Sequence, residues 1–212
     1  MKDIPMFTTE NGVATLVLRE IPLRGDAYII LQSSQEPQKL LEECVSFCLA
    51  CGAEKIFAKG DGMEGAYPLH TVIREMRGTA EVDPTLLESL FPVTEQMVGR
   101  WREIYNKAMK NVDNAGMLTY LDEEKILKSA GAYFVHRNGE LLGIGWMEDE
   151  KLLAVAAAQR GMGRRVLNTL FSLVEGASVT LEVASTNIPA IRLYEKMGFI
   201  PVRELGRWFR VR

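Results

Sequence analysis

The run AAAQRGMGRRVLNTLF, residues Ala156 to Phe171, joins a strand-like stretch to a helix-like one through two glycines one residue apart. Before it lies the apolar KLLAVAA. After it, Val166, Leu167, Leu170, Phe171 and Val174 recur at helical spacing until Gly176. A glycine turn entering a helix lets successive backbone N–H groups converge on one point, where the positive end of the helix dipole attracts an anion. Arg160, Arg164 and Arg165 flank the turn and could reach a phosphate. An ordinary connecting turn would use the same glycines, so the run by itself leaves both readings open.

Working outward, the strand VTLEV (179–183) and a helix IPAIRLYEKM follow, the helix capped by Asn187 and stopped by Gly198. Upstream lie three strand-like runs, AYFVHR, ELLGIGWM and KLLAVAA, separated by the turns NG and EDE. Two helices precede them: one capped by Thr94 with Met97, Trp101, Ile104, Tyr105 and Ala108 on its apolar face, the other capped by Asp122 and ending at Gly131. The N-terminal part reads β-β-α-β-β: a hairpin of Val13–Glu20 and Ala27–Gln32 around PLRG, a helix from Pro37 to Cys51, and strands KIFAKG and His70–Arg77.

The connection GTAEVDPT divides the chain into an N-terminal part, 1–84, and a C-terminal domain, 85–212. The fold class expected is α/β, a mixed central sheet with flanking helices. The N-terminal part repeats the strand–helix–strand order of the C-terminal one as a degenerate half-repeat. At the place of the glycine turn it has SSQEPQK, which brings Glu36 and Pro37 and no glycine, so no second phosphate cradle is expected there.

Composition narrows the function classes. The chain has 25 Lys and Arg against 28 Asp and Glu, a formal net charge of -3, and no basic stripe of the kind that nucleic acid requires. No apolar run of about 18 residues spans a membrane, and the N-terminal residues lack the apolar core of a leader, so a cytoplasmic location is expected. Cys44, Cys48 and Cys51 have the C-x3-C-x2-C spacing of a radical S-adenosylmethionine iron–sulfur loop. They fall at helical spacing with Leu41 and Val45, however, which makes them small buried hydrophobes of an amphipathic helix. No metal is expected.

From Ala158 onward the sequence resembles the GNAT superfamily of acyl-CoA-dependent N-acyltransferases, over roughly residues 91–212. The family's pyrophosphate loop, Q/R-x-x-G-x-G/A, falls on Ala158–Gly163, and its N-x-x-A-x-x-L-Y-x-x-x-G-F signature is complete in Asn187, Ala190, Leu193, Tyr194, Gly198 and Phe199. Ala158 departs from the loop's first Gln or Arg, and Gln159 or Arg160 stands in for that side chain. The resemblance implies acetyl-CoA bound along the strand Leu152–Ala157 at Ala154, Val155 and Ala156. It implies pyrophosphate contacts at Gln159, Arg160, Gly161, Met162, Gly163 and Arg164, and further contacts from Asn187, Ala190 and Tyr194.

By the same resemblance Tyr194 is the general acid for the departing thiolate. Glu182, in LEVASTN, is a candidate base, as in ribosomal-protein N-terminal acetyltransferases, and strand alternation leaves its orientation open. Glu148, Asp149 and Glu150 in the preceding hairpin turn are the other candidates. The aromatics Trp101, Tyr105, Tyr120 and Trp146 either line an acceptor pocket or belong to the core. The activity implied is transfer of an acetyl group from acetyl-CoA to a small-molecule or peptide amine by direct attack, with a homodimer left open; the alternative is a non-enzymatic acyl-CoA-binding module.

Overall fold

In the computed structural model, which describes residues 2–212, the chain forms two compact units, Met1–Val72 with Leu205–Arg212, and Ile73–Glu204. In the first, β1 (Ile4–Thr9), β2 (Gly12–Val17) and β3 (Asp26–Ser34) pair as an antiparallel meander, with the one-turn helix α1 (Ile21–Arg24) between the last two. Helix α2 (Pro37–Ala50) then crosses to β4 (Lys55–Lys59), which lies parallel to β3. The end of β11 (Ile200–Arg210) pairs antiparallel with β4. β1 was absent from the sequence expectation. Pro5 and a register shift between Ile4 and Phe7 break its alternation, as befits an outer strand.

The second unit repeats this plan. β6 (Ser89–Pro92), β7 (Ala132–Arg137), β8 (Glu140–Glu148) and β9 (Lys151–Ala157) form an antiparallel meander. Helix α5 (Gly163–Phe171) crosses to β10 (Ser178–Ala184), parallel to β9. Ile73–Thr79 of β5 (Leu69–Thr79) pairs antiparallel with β10, and α6 (Ile188–Lys196) leads into β11. This is the expected mixed α/β fold.

Helices α3 (Val98–Met109) and α4 (Glu123–Ser129) lie between β6 and β7. α3 begins behind Met97 and not on the expected Thr94, whereas Asp122 does stand at the N-cap of α4, without a side-chain cap bond to that helix. Thr94 closes its turn through its carbonyl, which accepts from the N–H groups of Met97 and Val98, and Thr119 and Asp122 cap each other's backbone in the turn before α4. α4 ends one residue early, at Ala130 in the left-handed region.

Each unit has its own core. In the first, Leu40, Leu41, Cys44 and Cys48 of α2 pack on Ala14, Leu16, Ile29 and Ile56. Cys44 and Cys48 are thus helical and buried, while Cys51 stands just past the helix at its C-cap and is only partly buried; burial pushes the thiols of Cys44 and Cys48 up to about 11 and about 12. In the second unit Val166, Leu167, Leu170 and Phe171 of α5 pack on β10, with Phe171 stacked on Phe199 at 5.5 Å. Each such side chain contributes roughly 1.5–3 kcal/mol of burial. Among the described residues no helix is long and apolar enough to cross a membrane.

Candidate active site

β9 and β10 pair at only two positions, Thr180 with Lys151 and Leu181 with Leu152. A bulge then places Leu153 as an extra residue against β8, since Trp146 pairs with Ala154 and Met147 with Leu152. Past it the two parallel strands separate, leaving backbone groups of both without a partner across the gap. A cleft of about 610 Å³ opens there, lined by Ala154, Val155, Glu182, Asn187, Ala190 and Tyr194 among others.

The glycine turn stands at the end of β9. Ala158 donates its N–H to the Leu142 carbonyl at 2.8 Å, and Val166 donates to the Met162 carbonyl at 3.0 Å. α5 therefore begins at Gly163, three residues before its apolar pattern. Met162 occupies the cap position without a side-chain hydrogen bond. The N–H groups of Gly163, Arg164 and Arg165 consequently have no backbone acceptor among the described residues. Gly161 has φ +86°, and a Cβ there would meet nothing within 4 Å, so the position needs a left-handed residue and opens on free space. A Cβ on Gly163 would come 2.9 Å from Leu193 Cδ2, so this glycine sets the close approach of α5 and α6.

The residues expected to hold a cofactor divide between several places. Ala154, Val155, Gly163, Asn187, Ala190 and Tyr194 line the cleft. Ala156 is buried in the core beneath β9, and Met162 packs on the core of α5. Gln159 donates to Glu140 at 2.7 Å, tying the turn to β8. Arg160 and Gly161 are exposed. Arg164 lines a separate polar hollow with Asp83, Asn168 and Lys196, and the arginines beside Asp83, after its hydrogen bonds with Thr85, help hold that carboxyl low. Arg165 is committed to Glu88 at 2.8 Å.

Asn187 caps α6, its Oδ1 accepting from the Ala190 N–H at 3.4 Å. Gly198, with φ +83°, ends that helix, and the Phe199 N–H donates back to the Tyr194 carbonyl at 3.0 Å. The Y-x-x-x-G-F spacing is thus the geometry of a helix end, and it fixes where Tyr194 sits. Tyr194 is only 7% exposed, and its hydroxyl has no hydrogen-bond partner among the described residues. Burial pushes its pKa up to about 12, so the proton stays on the oxygen at neutral pH.

Glu182 lines the same cleft and receives Lys151 Nζ at 2.6 Å, with side chains 44% and 46% exposed. Opposite it on β5 stands Glu75, which holds Arg203 at 2.8 Å. Glu148, Asp149 and Glu150 are not brought to the cleft. They line a hollow at the other end of β9 with Arg77 and Lys151. Of the aromatics, Tyr105 lines the cleft and Tyr120 is exposed. Trp101 and Trp146 are buried in the core, where Trp101 donates to the Tyr133 carbonyl at 3.1 Å.

Sequence reasoning named no site residue in the loop after α3, although it placed acceptor selectivity between Thr94 and Gly131. Asp113, Asn114 and Gly116 line the cleft wall, and Ile73 of β5 joins them. The turn formers in DNAG were a usable signal, since Asn114 adopts φ +57°. Ile73 offered none, because the strand that completes this sheet comes from far upstream.

Residues 98–199 match the model of the acetyltransferase (GNAT) family. No curated protein matches the sequence. Among solved structures, a GCN5-related N-acetyltransferase from Anabaena variabilis aligns with TM-score 0.61 at 10% identity, over 94% of this chain and 59% of that one. A functionally unknown conserved protein from Staphylococcus epidermidis aligns with TM-score 0.59 at 11% identity, over 96% and 91%. A GCN5-related N-acetyltransferase from Sphaerobacter thermophilus aligns with TM-score 0.52 at 13% identity, over 93% and 75%. At such identities the likeness speaks for the fold, while the family match rests on sequence. Residues 98–199 of this chain are a domain of the GNAT acetyltransferase family.

Proposed function

We propose that the protein transfers an acetyl group from acetyl-CoA to an amine by direct attack. The observation that carries this reading is the crevice where β9 leaves β10, with the uncapped N-terminus of α5 standing at the end of β9. Free strand edges suit an extended amide-bearing chain such as pantetheine, and the N–H groups of Gly163 and Arg164 suit its pyrophosphate. Arg160, exposed beside them, adds charge.

In the transfer, the amine nitrogen bonds to the thioester carbonyl carbon and the C–S bond breaks. Glu182 takes the proton lost by the amine and passes it to solvent. Tyr194 gives its proton to the departing thiolate sulfur, and regains one from water. The raised pKa keeps this proton on the Tyr194 oxygen at neutral pH, so a donor is present where the thiolate departs. Lys151 holds the Glu182 side chain in place at the cleft.

The test is incubation of the full chain with acetyl-CoA and a panel of amines, reading free thiol and acetylated product by mass. Transfer to at least one amine above the buffer rate supports the reading. Tight coenzyme A binding with no transfer to any amine would favour the non-enzymatic module instead.

A further inference from the structure

The apolar stripe of α3 runs on past the core that it serves. Trp101 is fully buried, and Tyr105 and Met109 follow it at four-residue steps on the same helix face. Both stand half-buried at the margin of that core, and both line the cleft, with Val112 just past the helix end. The Tyr105 ring stacks on Trp101 at 5.8 Å, and its hydroxyl donates to the Gly116 carbonyl at 3.2 Å. The ring is therefore held in place and its polar end is already used. Ile73 of β5 and Leu153 at the bulge of β9 complete an apolar wall in the same cleft.

The charges of the lining, by contrast, are engaged. Glu182 receives Lys151 at 2.6 Å, and Asp113, the other carboxylate there, also has a partner in the structure. No lysine, arginine or histidine lines the cleft among the described residues.

From this we infer that the acceptor is an amine carried on an apolar alkyl or aryl group with no second charge, and that Met109 helps to select it. The inference rests on the acetyl-transfer reading of the cleft. In that reading the donor takes the free edges of β9 and β10 and the α5 N-terminus. The α3 wall is left to the acceptor, whose amine gives its proton to Glu182. Each methylene that the acceptor buries on this wall leaves water, which is worth up to roughly fourfold in affinity. A second ammonium would shed its water there and meet no free carboxylate, which discriminates against it. Met109, unbranched and polarizable, adapts to a chain or a ring.

The test is equilibrium binding by calorimetry to the full chain, with and without coenzyme A, so that it does not depend on turnover. The probes are ethylamine, butylamine and hexylamine, then 1,4-diaminobutane, with 2-phenylethylamine and leucine amide to separate alkyl, aryl and amino-acid sources. Hexylamine is expected to bind at least ~10-fold tighter than ethylamine, with a more negative heat-capacity change. The diamine should bind at least ~10-fold more weakly than butylamine. The alkyl preference should persist as salt is added, because charge does not produce it. Met109→Gln, similar in length but polar, should reduce it at least ~3-fold and leave coenzyme A affinity unchanged. Should that variant not fold, the alkyl and salt series carry the test. Equal binding of the three alkylamines, or tighter binding of the diamine, overturns the inference. Hexanoyl-CoA outbinding acetyl-CoA by ~10-fold in the unaltered chain but not in Met109→Gln also overturns it, because the wall would then serve the donor's acyl group. An alkyl preference without acetyl transfer to any of these amines would support the wall assignment and count against the transfer reading.

Discussion

β3 and β4 in one unit and β9 and β10 in the other are the same element pair, parallel strands joined by a helix, yet one is closed and the other open. Asp26 to Ile30 pair in unbroken register with Lys55 to Lys59, whereas β9 and β10 share two positions. Both leading strands carry a bulge against the meander strand on their other side. In β3 the extra residue is Gln32, beyond the last pair with β4; in β9 it is Leu153, directly after the second pair with β10. In each the parallel pairing stops ahead of the bulge, so its position along the strand decides whether a crevice exists. The helix starts differ in the same sense. α2 opens with Pro37, which has no N–H to offer, and α5 opens with Gly163 behind a left-handed Gly161.

The most direct way to break this comparison is to count sites. Calorimetry with coenzyme A is expected to give one site per chain, with none in the closed pair; two sites would mean that the open strands are not what binds it. The next largest effect is catalytic. Tyr194→Phe keeps the ring that packs near Phe199 and removes only the hydroxyl, so kcat should fall by roughly 10²–10⁴-fold with little change in coenzyme A affinity. Full kcat in a variant whose chemical step limits turnover would make Tyr194 a packing residue. Smaller again is the turn. Gly161→Asp puts a negative charge at the proposed cradle, and coenzyme A affinity should drop at least ~10-fold, about 1.4 kcal/mol. Gly161→Ala bears the left-handed strain without the charge, and equal losses in the two would show that strain alone is responsible.

The open pair was far more legible than what surrounds it. Strand, turn, helix and strand from Lys151 to Ala184 could be read because apolar period, glycine placement and the N-x-x-A-x-x-L-Y run coincide. Even so, α5 begins three residues before its apolar face, since Gly163 and the two arginines contribute backbone and not burial. The separation of β9 from β10 is implied only by the family resemblance, which puts a splayed strand at Leu152–Ala157, and not by the residues themselves. KLLAVAA looks like any buried strand, and the bulge at Leu153 is a matter of register with β8. The same holds for β6, four residues long, and for Ile73, placed in the cleft wall by a strand far upstream of the glycine turn. Glu182 was undecidable by alternation because both faces of β10 are partly covered; its pairing with Lys151 is a contact between strands.

The smallest effect separates burial of Tyr194 from its chemistry. In the folded chain its pKa is raised to about 12 by desolvation, against about 10 for the free side chain. The neutral hydroxyl is thus favoured by the fold. Its contribution to stability is complete below pH 10 and is lost as the pH rises through 12, because the unfolded chain sheds this proton first. At pH 11 the loss amounts to about 1 kcal/mol, on the order of one pKa unit of differential binding. Tyr194→Phe has no such proton, so its stability should fall less steeply than that of the unaltered chain between pH 10 and 12, other titrations being common to both. Denaturant midpoints at pH 9, 10, 11 and 11.5 read the difference. Parallel curves would mean that the hydroxyl is as well solvated in the folded chain as in the unfolded one, and that burial does not hold its proton.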